Sequence, residues 1–365
     1  MLKQIADAIA QKDYSTAAKL IQELKQSDPR NPWLPYYIGL FYEETAKREK
    51  AEEIYRQVLR RVSNPKIIAL ARQGIQRLEA FVTETREDAL AQAMSQPGGE
   101  EFGVLILKQI PSETKQQAAQ KFAQIMQIDA YNARLQLPSR GWRLYRTGKM
   151  GELQYYTSAL QDADIPCFCL PLETISPINV YQVIAFEEIQ PSVTVTCESS
   201  EKQEGNFAFE WSEVQQRVEG MLPLFEKVLD RDVKRKLKRK MQTLDYIPFC
   251  DLHLPSRNTI LRFCDRTYNF QQGMSITPTP ETAPLVGQTT TRKNWGHLMN
   301  FLSQNLPEVP VISDFTPFAE TALGFEKMLK QIDPHIDLSR RYDTLWDAAF
   351  HLYSGLVFVT YLDED

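Results

Sequence analysis

Histidine is scarce in this 365-residue chain, which carries only His253, His297, His335 and His351. No H-E-x-x-H helix, G-x-S-x-G elbow, G-x-x-x-x-G-K-[ST] loop or dinucleotide-binding glycine fingerprint occurs. Those absences remove the zinc-peptidase, hydrolase, P-loop and Rossmann readings and move the balance from enzyme toward binding protein. Cysteine numbers five, an odd count at irregular spacing, which disfavours a disulfide framework and points to a reducing compartment. No apolar run approaches the roughly 18 residues of a membrane span. The longest, residues 102–107 and 352–362, are strand-sized or broken by polar groups. The opening MLKQIADAIAQKDYSTAAKL lacks the apolar core and small-residue cleavage site of a secretory leader, so the expectation is a soluble, cytoplasmic protein. Charge of one sign is also missing: 42 Lys and Arg face 47 Asp and Glu, a net of -5, which disfavours a dedicated nucleic-acid binder.

What is present is length, an ordinary 43% hydrophobic content and a repeat. The length implies two to four domains. Residues 1–31 laid over 32–65 at an offset of 34 bring Ala17 onto Ala51, Leu20 onto Ile54, Ile21 onto Tyr55 and Leu24 onto Val58. Each unit reads as two short amphipathic helices joined by a polar turn. Asp13 opens the second helix, Asp28-Pro29 ends it, and residues 66–94 continue the helical pattern after the repeat is lost. Gly39 falls where two antiparallel helices cross, and its missing side chain permits close approach.

Tyr14, Ala17 and Pro29 in the first unit, and Gly39, Tyr42, Ala51 and Tyr55 in the second, give residues 1–94 a resemblance to the tetratricopeptide repeat family. The resemblance implies a protein-binding face lined by the first helix of each repeat and the capping helix. On this chain that face is Trp33, Tyr36, Leu40, Glu43, Glu44, Ile67 and Leu70. It is either open to another protein or covered by the chain's own next domain. The family's carboxylate-clamping lysine and asparagine set is missing, so chaperone tails are not the expected ligand.

Residues 95–101, opening on Ser95-Gln96-Pro97-Gly98-Gly99, form a linker. Residues 102–175 read strand–helix–helix–strand–helix–strand, a small α/β sandwich whose element order resembles the adaptor fold that delivers substrates to bacterial AAA+ unfoldases. Strands at 102–110, 141–146 and 166–172 enclose helices from Ser112, from Asp129 and over 150–162. Residues 176–275 are β-rich, with strands around 180–189, 192–199, 206–211, 246–253 and 259–265 and a partner at 265–270. A short helix or turn followed by irregular chain is expected over 212–229. The nearest shape is a small curved sheet or a pleckstrin-homology-like barrel. Residues 276–365 read as a Pro/Thr-rich loop, helices at 291–305, 315–332 and 343–353, and an apolar end forming a helical C-terminal cap. The fold class is therefore multidomain α+β.

Three clusters bear on chemistry. Cys250 and His253 have the spacing of a metal half-site and Cys264 follows, but a structural zinc site needs four ligands and no second pair exists, so core packing is the stronger reading and no metal or cofactor is expected. Cys167 and Cys169 share one face of a strand, too poorly placed to bridge. Arg231, Lys234, Arg235, Lys236, Lys238, Arg239 and Lys240 form the densest charge run, fit to grip nucleic acid, an anionic surface or an acidic partner, or to serve as a solvated connector between β elements. No interleaved aromatic is there to stack bases. The expected function is a non-enzymatic adaptor or assembly factor using its repeat arm. The alternative is a regulatory protein that binds an anion through 231–240. The layout as a whole resembles tetratricopeptide-bearing proteins of cyanobacteria, which implies work on a cellular complex such as the photosynthetic apparatus.

Overall fold

The structure, a computed structural model, describes residues 1–231, 237–276, 291–340, 342 and 344–364. The chain divides into two compact units, Met1–Gln92 and Ala93–Asp365.

The first unit is helical throughout. Helices α1 (Leu2–Ala10), α2 (Tyr14–Ser27), α3 (Leu34–Glu44) and α4 (Arg48–Arg61) form two successive hairpins, and α5 (Pro65–Met94) follows. The Asp13 carboxylate caps α2 by accepting from the Thr16 amide at 3.0 Å. Asn64 does the same for the start of α5 through Lys66 and Ile67. One core joins α1, α2 and α3 through Ile5, Ile9, Ala17, Leu24 and Leu34. A second joins α3, α4 and α5 around Tyr55, Val58, Ile67, Ala71 and Leu78.

Tyr55 is the keystone of that second core. Its ring lies between the two glycines of α3 and α5: a Cβ on Gly39 would sit 2.7 Å from Tyr55 Cε1, and one on Gly74 2.4 Å from Cε2. The close approach expected at Gly39 is therefore present, and α5 repeats it. The phenol donates to Glu43 Oε2 at 2.6 Å, and Glu43 in turn accepts a bidentate pair from Arg77 at 2.7 and 2.8 Å. Burial and the Glu43 carboxylate push the Tyr55 phenol far above its ordinary value. Because the ring is held on both faces, Gly74→Ala cannot be absorbed by a shift toward Gly39. The substitution should cost about 1–3 kcal/mol, measured as a lower urea midpoint and faster hydrogen exchange across α3–α5.

The second unit is layered. Strands β1 (Phe102–Leu107), β2 (Arg143–Lys149) and β3 (Cys167–Pro171) make an antiparallel sheet in the order β2-β1-β3. Helices α6 (Lys115–Met126), α7 (Ala130–Gln136) and α8 (Met150–Asp162) cover one face, where Leu105, Leu107, Phe122 and Leu153 meet. Val104 and Ile106 point to the other face, so β1 is buried on both sides, which explains its unbroken apolar sequence.

The larger sheet has seven strands: β4 (Asn179–Glu188), β5 (Val193–Glu198), β6 (Glu204–Phe209), β7 (Gln216–Arg231), β8 (Leu237–Leu254), β9 (Thr259–Cys264) and the two-residue β10 (Val311–Ile312), which follows α9 (Thr291–Asn305) in the chain. Their order is β10-β7-β8-β9-β4-β5-β6, with β10 parallel to β7, β4 parallel to β9 and the other pairs antiparallel. This is an open sheet with two edges, not a barrel. Residues 212–229, expected to be helix or irregular chain, lie mostly in β7, and residues 265–270 form a turn instead of a strand. Helix α9 covers one face through Trp295, Leu298 and Leu302.

Between the two sheets run α10 (Phe315–Ala322), the short α11 (Glu326–Leu329) and α12 (Trp346–Glu364). Helix α12 is buried without a break from Asp347 to Val359. A helix buried on every side, with apolar residues round most of its surface, belongs inside a protein, so the expected C-terminal cap is instead the centre of the unit. It packs against Val104 and Ile106 of the small sheet and Val218, Phe249 and Ile260 of the large one. The three segments expected beyond residue 101 thus share one compact unit.

Candidate functional site

The residues assigned to the repeat face are mostly packing residues. Ile67 is fully buried and Tyr36 is 8% exposed, both in the core around Tyr55. Trp33, Leu40 and Leu70 are half-buried against that core, and Glu43 is engaged by Tyr55 and Arg77. Of the set, Glu44 alone is exposed. The larger apolar side chains that do reach the surface of this unit include Phe81 and Val82 on α5, with the Arg48 guanidinium 3.6 Å from the Phe81 ring centroid.

The metal half-site is taken apart by the pleat. Cys250 faces α9 with Leu252 and Leu254, whereas His253 faces α12 with Asp251. Cys264 also faces α12 but pairs across from Phe249, far along the strand from His253. Among the described residues no three His, Cys, Asp or Glu side chains converge to hold a metal ion. Cys167 and Cys169 share the face covered by α6 and α8, as the strand alternation predicts, and burial pushes the Cys167 thiol up to about 12.

The charge run falls on the β7–β8 connection. Residues 232–236, with Lys234, Arg235 and Lys236, lie outside the described residues. Arg231 and Leu237 form the last backbone pair, and Lys238, Arg239 and Lys240 pair with Asp230, Leu229 and Val228. Among the described residues no third strand flanks the ladder from Leu224 to Arg231, because β9 pairs only with Phe249–Leu254 and β10 only with Arg217 and Val218, although Lys227 Nζ lies 5.0 Å from the Tyr342 ring centroid. The result is a two-stranded arm reaching roughly 25 Å from the sheet. Met241, Leu244 and Tyr246 are exposed along it.

The densest polar chemistry lies elsewhere, on α12. Asp347, His351 and Ser354 fall at i, i+4 and i+7, one stripe on an otherwise apolar helix. Ser354 Oγ lies 2.6 Å from Asp251 Oδ2 and 2.9 Å from His253 Nε2, and His253 Nδ1 lies 3.2 Å from Gln216 Oε1. Asp251 accepts two bonds from Arg262, at 2.9 and 2.7 Å, and both side chains are fully buried. Arg262 then donates to the carbonyls of Pro334, at 2.7 Å, and His335, at 3.4 Å. The order is not that of a hydrolytic triad, in which the acid orients the imidazole and the imidazole deprotonates the serine. Here the serine stands between acid and imidazole, and all three are closed to solvent. The row ties β7, β8, β9, α12 and the 334–335 backbone together.

The same row backs onto open space. His335, held at a φ of 48°, and His351 meet edge to face with ring centroids 4.8 Å apart. His351 is 3% exposed, and Nδ1 of each ring has no hydrogen-bond partner. Both line a cavity of about 470 Å³ with Glu173, Asp333, Ile175 and Leu352. A second cavity of about 680 Å³ shares Asp333 and His335 with the first. Burial, with the nearby Arg262 charge, lowers both imidazoles, so they stand neutral at physiological pH.

Burial also lowers His253, to about 4, against an unfolded value of 6.5. The unfolded chain binds that proton first as pH falls, so the stabilisation is complete above about 6.5 and is lost on the way down to 4. At 1.36 kcal/mol per pH unit the loss from His253 is roughly 3 kcal/mol, and His335 and His351 act in the same direction. Melting temperature should fall steeply between pH 6.5 and 4.5, and His253→Gln should flatten that profile.

Sequence reasoning counted these histidines but did not assemble them. The usable signal was the Asp347–His351–Ser354 spacing, which marks one polar stripe on a helix with no other polar face. Comparison with protein-family models, with curated proteins and with solved structures finds no match to this chain.

Proposed function

We propose that the chain is a non-enzymatic adaptor or assembly factor that engages protein partners through its tetratricopeptide-like helical unit and its β-arm. The observation that supports this reading is the arm. A two-stranded ribbon is marginal in water by itself, and an edge with exposed apolar side chains is normally shortened or covered. This one extends past its sheet carrying Met241, Leu244 and Tyr246. Burial of those side chains against a partner gives the length a use. The stacked hairpins of residues 1–92 add a second surface, with Phe81 and Val82 on it.

The test shortens the arm in register. Residues 227–241 are replaced by Asn-Gly, a two-residue turn suited to a tight hairpin, which leaves Leu224 and Phe225 in place. A second variant lacks residues 1–92. Full chain and both variants are used to capture partners from the native cell. A stoichiometric partner lost with either variant, at unchanged melting of the remainder, is the expected result. Identical partner sets from all three would overturn the proposal.

A second reading, binding of an anionic ligand or nucleic acid through residues 231–240, is favoured by the backbone pairing of Arg231, Lys238, Arg239 and Lys240 at the far end of the described ladder. Joint Lys234→Glu, Arg235→Glu, Lys238→Glu and Arg239→Glu should then abolish retention on heparin. Unchanged retention would remove this reading and leave the adaptor reading standing.

A further inference from the structure

We infer that the paired cavities at His335 and His351 bind a linear aliphatic polyamine. The argument begins with charge. Among the described residues lining the two spaces stand five carboxylates, Glu173, Glu198, Glu204, Asp333 and Asp337, against one cation, Lys202, which is paired with Asp337. A cleft lined by one sign of charge concentrates the opposite ion, and low-dielectric walls strengthen the effect.

A simple metal ion does not answer this chemistry, because no three ligating side chains converge among the described residues. An elongated organic cation does. The first cavity has an apolar wall of Leu172, Ile175, Ile332 and Leu352, suited to a run of methylenes, with Glu173 and Asp333 for an ammonium. The second is more polar and holds the remaining carboxylates, and Asp333 is common to both. Their volumes, about 470 and 680 Å³, fall in the range of small-molecule sites.

The imidazoles supply the second observation. His351 is 97% buried at the back of the first cavity, and a ring nitrogen of it is left without a partner. Buried polar atoms are nearly always satisfied, so an orphan beside a cavity points to a missing donor or acceptor. Neutral imidazoles can accept from an ammonium where imidazolium ions would repel it. Arg262, whose charge helps to keep both imidazoles neutral, has the buried Asp251 carboxylate as its counter-ion.

The test titrates the full-length protein with spermidine by calorimetry, and in parallel with magnesium chloride and with octanol. Spermidine should bind at least tenfold more tightly than Mg²⁺, and octanol should not bind. Asp333→Asn, which removes the shared carboxylate, should weaken spermidine at least fivefold, and Glu173→Gln should weaken it by a smaller factor. Both residues are exposed, and asparagine keeps the oxygen that accepts from the His335 amide at 3.0 Å, so the fold is retained, and circular dichroism checks this. The proposal is overturned if Mg²⁺ competes at equal affinity, which would make the cleft a counter-ion sink. It is also overturned if Asp333→Asn leaves spermidine binding unchanged. Arm-shortened protein should bind spermidine normally, so this site and the adaptor reading stand or fall separately.

Discussion

Asp251→Asn should destabilise the second unit by about 3–5 kcal/mol, the range found when one partner of a buried ion pair is removed. The asparagine keeps the shape but leaves the Arg262 guanidinium charged, fully buried and without its bidentate partner. It also takes the carboxylate from the Ser354 hydroxyl and so opens the row that reaches His253 and Gln216. Removing both charges should cost less than removing one. Asp251→Leu combined with Arg262→Met abolishes the unpaired charge, although the Pro334 carbonyl loses its donor. A double-mutant cycle by urea unfolding measures the difference. A single-variant loss below 1 kcal/mol would mean that water reaches the pair. Hydrogen exchange offers a local check, since amides at 333–337 should exchange faster once Arg262 no longer holds the Pro334 and His335 carbonyls.

Much of the secondary structure was legible, for reasons that are local. Helix α8 over 150–162, helix α9 over 291–305 and strands β4, β5 and β9 were expected close to where they stand. Each carries a clear period and a clear stop. β7 was missed because its 16 residues mix a glycine, a proline and an outward charged side, and half of it has only one neighbour, so alternation toward a core is weak. The central place of α12 was missed for the opposite reason. A helix buried on every side has no amphipathic face to read, and its apolar end looks the same whether it closes a fold or fills one.

The candidate site was less legible still. Asp251 and Arg262 are 11 residues apart on neighbouring strands, and only the β8–β9 register sets them opposite each other. Cys250 and His253 looked like a pair because their separation is short, yet an odd separation in a strand sends two side chains to opposite faces. The repeat face shows the same limit from another side. The offset of 34 lays Ile21 over Tyr55, but it carries no sign that the Tyr55 phenol would donate to Glu43 and that Arg77 would pair with the same carboxylate.

Ending the chain at Leu345 should unfold the second unit and leave the first intact. The thirteen residues from Asp347 to Val359 are all buried, and they include Phe350, Tyr353 and Phe358 at 2% exposure or less. At about 1.5–3 kcal/mol for each large apolar side chain, these three alone match the whole stability of an ordinary domain, about 5–15 kcal/mol. Their loss would also strip the inner faces of both sheets at once, since Val104, Phe249 and Ile260 meet the same helix. Circular dichroism should show the strand signal gone with helix retained, and protected amides should survive only within residues 1–92. The helical unit has its own two cores and needs none of α12 to close them. Retention of cooperative β-sheet melting in the truncated chain would show that the sheets stabilise each other without α12, and the central role of that helix would have to be given up. A milder step separates packing from backbone: Phe350→Ala should cost about 3–5 kcal/mol, because its ring fills the space between Phe249, Phe315 and the Arg262 guanidinium. Since that guanidinium also fixes the segment carrying His335, the same substitution should lower spermidine affinity in whatever fraction remains folded, which links the centre of the core to the cleft at its edge.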